Sequence, residues 1–273
     1  MGIWTYPIDN SSSIQTALLN RFRDYYTGTN ESSGKFVYVV RFYDLITLAR
    51  ILIILYRMVN AIIFDADGTL FDTKAIIFDA YIHTAKTHNL KLPLWDEISV
   101  NLGNPLLDIY KKLYPNEDSS SLVAENNRFI ANNLSNISLM PGILELLNEL
   151  RRIGLTLGIV SGGNKMILRI LEYHGILKYF TSIVYDGRTV KPKPHPEGYF
   201  LCCHECGIHP KQTMMVGDSL DDITVANTAN AFGTIIIDPD HSNSYKVDKL
   251  KRVFVVENTS SVLDTIKSIR TNG

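Results

Sequence analysis

Five short apolar runs recur from residue 59 onward, each separated from the next by a helical pattern, and this alternation restricts the fold more than any other feature. The runs are AIIF (61–64), LTLGIV (155–160), TSIV (181–184), TMMV (213–216) and GTIII (233–237). Rich in β-branched residues and too short for helices that bury a face, they read as strands. In the intervening segment GILELLNELRRIG, the residues Ile143, Leu144, Leu146, Leu147 and Leu150 repeat at helical spacing, Pro141 fits the first turn and Gly154 supplies a stop. Strand and helix in alternation imply an α/β fold: a doubly wound parallel sheet covered by helices on both faces. Residues 74–138 break the pattern. They carry helical signals, as in AIIFDAYIHTAKTHN and VAENNRFIANNL, without a convincing strand, and read as a small helical insert after the first strand.

Residues 1–57 differ in character. A polar Ser/Asn/Gly-containing stretch is followed by KFVYVVRFYDLITLARILIILYR (35–57), in which Arg41, Asp44 and Arg50 interrupt the apolar run that a membrane span needs. A packed or interfacial helix is the expectation, with contact to a membrane surface the weaker reading. The region is an extension of uncertain role, functional or a product of start-site choice, since Met58 stands just before the first strand. The N-terminus lacks the basic start, apolar centre and cleavage site of a secretory signal. Three cysteines crowded at 202, 203 and 206 make a poor disulfide framework, so a cytoplasmic compartment is expected. A net charge of −1 gives no electrostatic reason to expect nucleic acid.

Polar clusters follow the strands where ligands gather in such sheets. Asp65 and Asp67 follow the first, Ser161-Gly162-Gly163 the second, and Gly217-Asp218-Ser219-Leu220-Asp221-Asp222 the fourth, with Lys193 lying in VKPKPHPEGY. Alone, Asp-Gly is a turn dipeptide. Several carboxylates on one rim would raise one another's pKa unless a cation neutralises them, and a hard, oxygen-seeking ion such as Mg²⁺ suits them. Asp218 and Asp222 are four apart, so a helix starting near Ser219 would aim both to one side. Ser161 with two glycines offers a hydroxyl and backbone N–H groups to an anion; the plainer alternative is a helix N-cap. Pro192, Pro194 and Pro196 are expected to hold the backbone extended and fix where Lys193 points, against the alternative of a plain surface loop.

DADGT (65–69), VSGG (160–163), KPHPEGY (193–199) and GDSLDD (217–222), in this order, resemble the four motifs of the haloacid dehalogenase superfamily of phosphohydrolases. The resemblance covers 59 to about 269, and the helical insert is similar to the C1 cap of phosphoglycolate phosphatase-like members. It implies a Rossmann-like core (58–73 and 139–273) with a cap (74–138). It implies Asp65 as nucleophile, Asp67 as acid and then base, and Ser161, Gly162 and Lys193 holding the phosphoryl oxygens. It also implies Mg²⁺ on Asp65, the Asp67 carbonyl and Asp218, with Asp222 supporting directly or through water. Asp67 favours a phosphatase over a dehalogenase, and family spacing favours Lys193 over Lys191 and Asp222 over Asp221. A cap loop near Gly103 is implied to face the site, with Asn104 and Arg128 as candidates.

The expected function is a Mg²⁺-dependent phosphatase of a small phosphorylated metabolite, phosphoglycolate-like or a sugar phosphate, acting through an aspartyl phosphate. A β-phosphoglucomutase-like phosphomutase and a non-catalytic phosphate-binding or scaffold protein are the alternatives. The CxxC spacing of Cys203 and Cys206 invites a zinc reading, but no second pair exists, and Tyr199, Cys202, Cys203 and Cys206 fit the apolar face of one helix. His83, His88 and His174 are expected to face solvent or sit at helix ends, His174 as an imidazolium favoured by a helix C-terminus.

Overall fold

The computed structural model describes residues 59–239 and 252–272, all within one compact unit; the extension 1–57, with its candidate interfacial helix, lies outside the described residues. Among the described residues no helix is long and apolar enough to cross a membrane. Six parallel strands form the main sheet in the order β5-β4-β1-β6-β7-β8: β1 (Ala61–Phe64), β4 (Thr156–Val160), β5 (Ser182–Val184), β6 (Thr213–Gly217), β7 (Gly233–Ile237) and β8 (Val253–Val256). The central β1 is buried along its whole length. Successive side chains of a strand point to opposite faces, and the core divides accordingly. Ile62 and Phe64 join one cluster with Leu157, Ile159, Met214 and Val216, while Ile63 joins Val160 and Met215 in a second.

Each face is closed by helices whose apolar stripes match it. The first is covered by α5 (Ile143–Arg152), α6 (Met166–Tyr173) and α9 (Thr259–Asn272), through Leu147, Leu150, Ile167, Leu171, Val262 and Ile266. The second is covered by α7 (Glu197–Cys206) and α8 (Leu220–Thr228), through Tyr199, Cys202, Cys203 and Val225. The cysteines are therefore core residues, Cys202 and Cys203 buried and Cys206 half-buried, and all three are free thiols. Gly158 on β4 lets α7 settle close to the sheet, because a Cβ there would lie 2.5 Å from the Cys202 sulfur.

The insert leaves through β2 (Phe71–Asp72) and returns through β3 (Ser138–Leu139), which pair antiparallel as Phe71 with Leu139 and Asp72 with Ser138. Between them run α1 (Lys74–Thr87), α2 (Trp95–Ser99), α3 (Leu106–Leu113) and α4 (Ser119–Asn132). These helices carry their own apolar cluster of Tyr81, Ile98, Ile109, Tyr110 and Leu122.

Three local expectations are corrected, and one plainer alternative, Ser161 as an N-cap, is ruled out. α5 begins at Ile143 behind a left-handed Gly142, so Pro141 lies before the helix. α6 begins five residues after Ser161, which is therefore not its N-cap; Asn164 instead accepts from the Met166 N–H at 2.9 Å. The proline-rich segment is not extended but doubles back, with the His195 N–H donating to the Pro192 carbonyl at 2.9 Å. His174 does cap α6, but burial pushes its imidazole below its ordinary pKa, its ring packs on Phe71, and its Nε2 is buried without a partner. Burial there outweighs the favourable helix end.

Candidate active site

The strand order reverses at β1: the chain builds outward through β4 and β5, then crosses to β6 on the other side. The C-terminal ends of β1, β4 and β6 therefore bound a crevice. Asp65 closes β1, anchored by its N–H to the Val216 carbonyl at 2.8 Å. The chain then folds back on itself, the Ala66 carbonyl accepting from Leu70 and the Gly68 N–H donating to Phe71. Gly68 has φ +77, and a Cβ on it would lie 2.2 Å from the Asp218 carboxylate, so glycine lets two loops from distant parts of the chain meet.

Lys193 sits at the centre of this meeting. Its ammonium donates to Asp65 Oδ1 at 2.5 Å and to Asp222 Oδ1 at 2.7 Å, with the Val160 carbonyl at 3.4 Å. Its side chain is 8% exposed. The rival Lys191 is exposed and donates its backbone N–H to Glu197. Asp222 stands at the third position of α8, where its second oxygen accepts from the Asp218 N–H, the Ser219 N–H and the Ser219 hydroxyl at 3.2, 3.1 and 2.7 Å. Asp218 itself precedes α8, so the two carboxylates do not share a helix face as expected; the turn between β6 and α8 brings them together instead. Asp65, Asp218 and Asp222 each offer an oxygen within 4.8 Å of the others.

Burial governs the charges. It pushes the Asp65 carboxyl well above the usual carboxylate range; Lys193 opposes the shift, while Asp222, Asp218 and Asp67 add to it. Asp218 is pushed up to about 6 by burial and by Asp222, against the pull of Lys193. Asp67 is raised by burial, with a hydrogen bond from Thr73 and the charge of Lys193 drawing it back. For Lys193 burial disfavours the charged form, but Asp222 and Asp65 outweigh it and hold the ammonium protonated. The three clustered carboxylates supply hard oxygen donors that one ammonium does not fully neutralise, and this donor set fits a small divalent cation.

β4 delivers Ser161, whose N–H is tied to the Val184 carbonyl at 2.9 Å and whose hydroxyl accepts from the Gly163 N–H at 2.9 Å. A Cβ on Gly163 would lie 3.4 Å from an Asp67 oxygen, so this loop borders both aspartates of the first motif. A Cβ on Gly162 would lie 3.1 Å from the Gly103 carbonyl, and one on Gly103 would lie 3.4 Å from Asp221. The insert therefore lies directly over the rim, enclosing a cavity of ≈ 840 Å³ that Asp65, Asp67, Ser161, Gly162, Lys193 and Asp218 all line.

Of the candidates in the insert, Asn104 borders the cavity and Arg128 does not: Arg128 pairs with Glu125, which also accepts from or pairs with His83 at 3.0 Å. Residues not anticipated that border it include Thr73, Asn126 and Asn127. Asn127 takes a hydrogen bond from Asn164 at 3.0 Å, joining the insert to the β4 loop. Nothing local in the sequence separates these residues from ordinary helix and turn positions.

The family model described as haloacid dehalogenase-like hydrolase matches residues 62–235, which spans the rim from β1 to β7. The chain belongs to this family. A pyrophosphatase PpaX of Oceanobacillus iheyensis is 28% identical to this haloacid dehalogenase-like chain over 76% of it and 97% of the relative. A phosphoglycolate phosphatase of Agrobacterium fabrum is 27% identical over 61% and 76%. Among solved structures, a β-phosphoglucomutase of Clostridium difficile superposes with a TM-score of 0.67 at 22% identity, over 79% of this chain and 98% of that one. This likeness shows a shared fold. The haloacid dehalogenase-like assignment makes the chain a hydrolase, in agreement with the order of its motifs.

Proposed function

We propose that the chain is a Mg²⁺-dependent phosphatase of a small phosphorylated metabolite, working in a cytoplasmic setting, with residues 58–73 and 139–273 as core and 74–138 as cap. The observation that carries this reading is the Asp65 carboxylate, buried in the wall of the cavity 2.5 Å from the Lys193 ammonium and beside Asp218. Phosphoryl transfer asks for in-line positioning and charge neutralisation, and this rim offers both. Asp65 and Asp218 with the Asp67 carbonyl would hold the cation, which when bound draws charge off the phosphoryl oxygens and keeps Asp65 ionised. Asp222 would act by positioning, since both of its oxygens are already taken by Lys193, Ser219 and the Asp218 N–H.

In the first step an Asp65 oxygen attacks phosphorus and the P–O bond to the alcohol breaks, while Asp67 gives its proton to the leaving oxygen. Its raised pKa suits that donor role. In the second, Asp67 takes a proton from water, the water oxygen attacks phosphorus, and the bond to Asp65 breaks to release phosphate. Ser161, the Gly162 N–H and Lys193 would hold the phosphoryl oxygens throughout, and the cap would limit bulk water. Asp65→Asn is expected to abolish turnover of an aryl phosphate with circular dichroism unchanged; a variant retaining a substantial rate would reject Asp65 as nucleophile.

A further inference from the structure

The walls of the cavity away from the rim differ from the rim in kind. On the insert side they are formed by Ile77, Trp95, Leu106 and Ile109, and on the core side by Met140 and Met166. Further polar groups there are asparagines, such as Asn104 and Asn126, which carry no charge. Among the described residues, six aspartates line the cavity (Asp65, Asp67, Asp72, Asp218, Asp221 and Asp238) against two lysines, Lys74 and Lys193. Lys193 sits at the rim between Asp65 and Asp222, where the transferring phosphoryl group would be held, and Lys74 is exposed, its ammonium 5.3 Å from the centre of the Trp95 ring. No arginine or histidine lines the cavity among the described residues.

A cation at the rim offsets Asp65 and Asp218 and leaves Asp72 and Asp221 around the remainder. A second anionic group on the substrate would meet like charge and apolar wall, both of which disfavour it. The volume points the same way. A cavity of ≈ 840 Å³ accommodates a body far larger than a two-carbon acid or a second phosphate, and its apolar walls gain only from a body that is itself apolar.

Resting on the phosphatase reading above, we propose that this site selects phosphomonoesters of an uncharged alcohol or phenol with an apolar body, and discriminates against substrates bearing a second anion. Pyrophosphate, phosphoglycolate and sugar bisphosphates belong to the disfavoured class. The insert, through Trp95, Leu106 and Ile109, sets this preference, and the rim sets the chemistry.

The test compares kcat/KM of the full chain with Mg²⁺ for phenyl phosphate and 4-carboxyphenyl phosphate, with pyrophosphate and 2-phosphoglycolate alongside. Phenyl phosphate is expected to lead its carboxylated partner by about tenfold or more, as one poorly placed charge would produce. Leu106→Lys, which puts a cation on the apolar wall without touching the rim, is expected to narrow that ratio. Equal rates for the pair, or pyrophosphate or phosphoglycolate as the best substrate, would overturn the inference and leave the phosphatase reading standing. Were no ester cleaved, the phosphatase reading would fall separately, and thermal shifts with phenylphosphonate and phosphonoacetate would decide the preference by binding alone. A larger shift from phenylphosphonate supports it, and a larger one from phosphonoacetate sinks it.

Discussion

Asp222 is fully buried and uses both of its oxygens, one on the Lys193 ammonium and the other on the turn that presents Asp218. Removing one partner of a buried ion pair leaves the other charge poorly compensated. Asp222→Asn is therefore expected to cost about 3 kcal/mol of stability, read by urea denaturation; a loss indistinguishable from zero would mean that the lysine is held by Asp65 alone. Gly68→Ala carries a different signature. Its φ of +77 strains any Cβ, and the added methyl meets the Asp218 carboxylate. About 1–3 kcal/mol of strain is expected, with Mg²⁺ affinity falling about tenfold or more if Asp218 holds the ion as proposed, because its carboxylate is displaced. Titration calorimetry would separate the two effects. Tyr81→Phe removes a buried hydroxyl that has no partner, so it should leave stability unchanged or slightly raised.

The helices and strands record where local pattern suffices and where it does not. β1, β4, β6 and β7 are legible because each is an apolar run buried on both faces, β5 more weakly because Ile183 is half-buried at the sheet edge, and Asp65, Ser161 and Asp218 are legible because each follows one of those runs. β8 escapes notice: Val253 and Phe254 are half-buried and Val255 is exposed, so at the sheet edge VFVV lacks the context that marks the others. β2 and β3 have two residues each and exist only because their partners meet across the ends of the insert. Arg128 had no motif behind it, and Glu125 on the same helix satisfies it, whereas Asn127 reaches the β4 loop through a contact that only the packing of the insert creates. The fit of α7 on β4 is a separate matter of size. Gly158→Ala should cost about 1–3 kcal/mol by overpacking against Cys202. Adding Cys202→Ala should recover part of that loss, and a double-mutant cycle without coupling would argue that the two do not touch.

For the folded chain as a whole, the carboxylates at the rim tie stability to pH and to cation. Asp65 and Asp218 hold their protons more tightly in the folded than in the unfolded state, so the contribution of each is present at low pH and is lost as pH rises through its folded pKa. For Asp218 that window runs from the ordinary carboxylate value of 3.8 to about 6. Lys193 has the opposite charge and a raised pKa, so its contribution is present at neutral pH and lost only under strongly alkaline conditions. A bound cation counters the carboxylate repulsion where it is largest. The rise in Tm on adding Mg²⁺ is therefore expected to be small at pH 5 and larger at pH 7.5, and an equal rise at both would contradict the placement of the ion on Asp218.

The short β2–β3 ladder has a bearing on how such chains diversify. Paired residues on antiparallel strands stand about 5 Å apart, so the insert departs and re-enters through what amounts to a single stitch in the core. Exchanging the intervening helices for a two-residue hairpin, or grafting in another lobe, leaves the pairing of the six strands intact and asks only for new cover where Ile76 and Ile137 pack into the core. Chemistry and taste for substrate are thereby left free to evolve on separate modules.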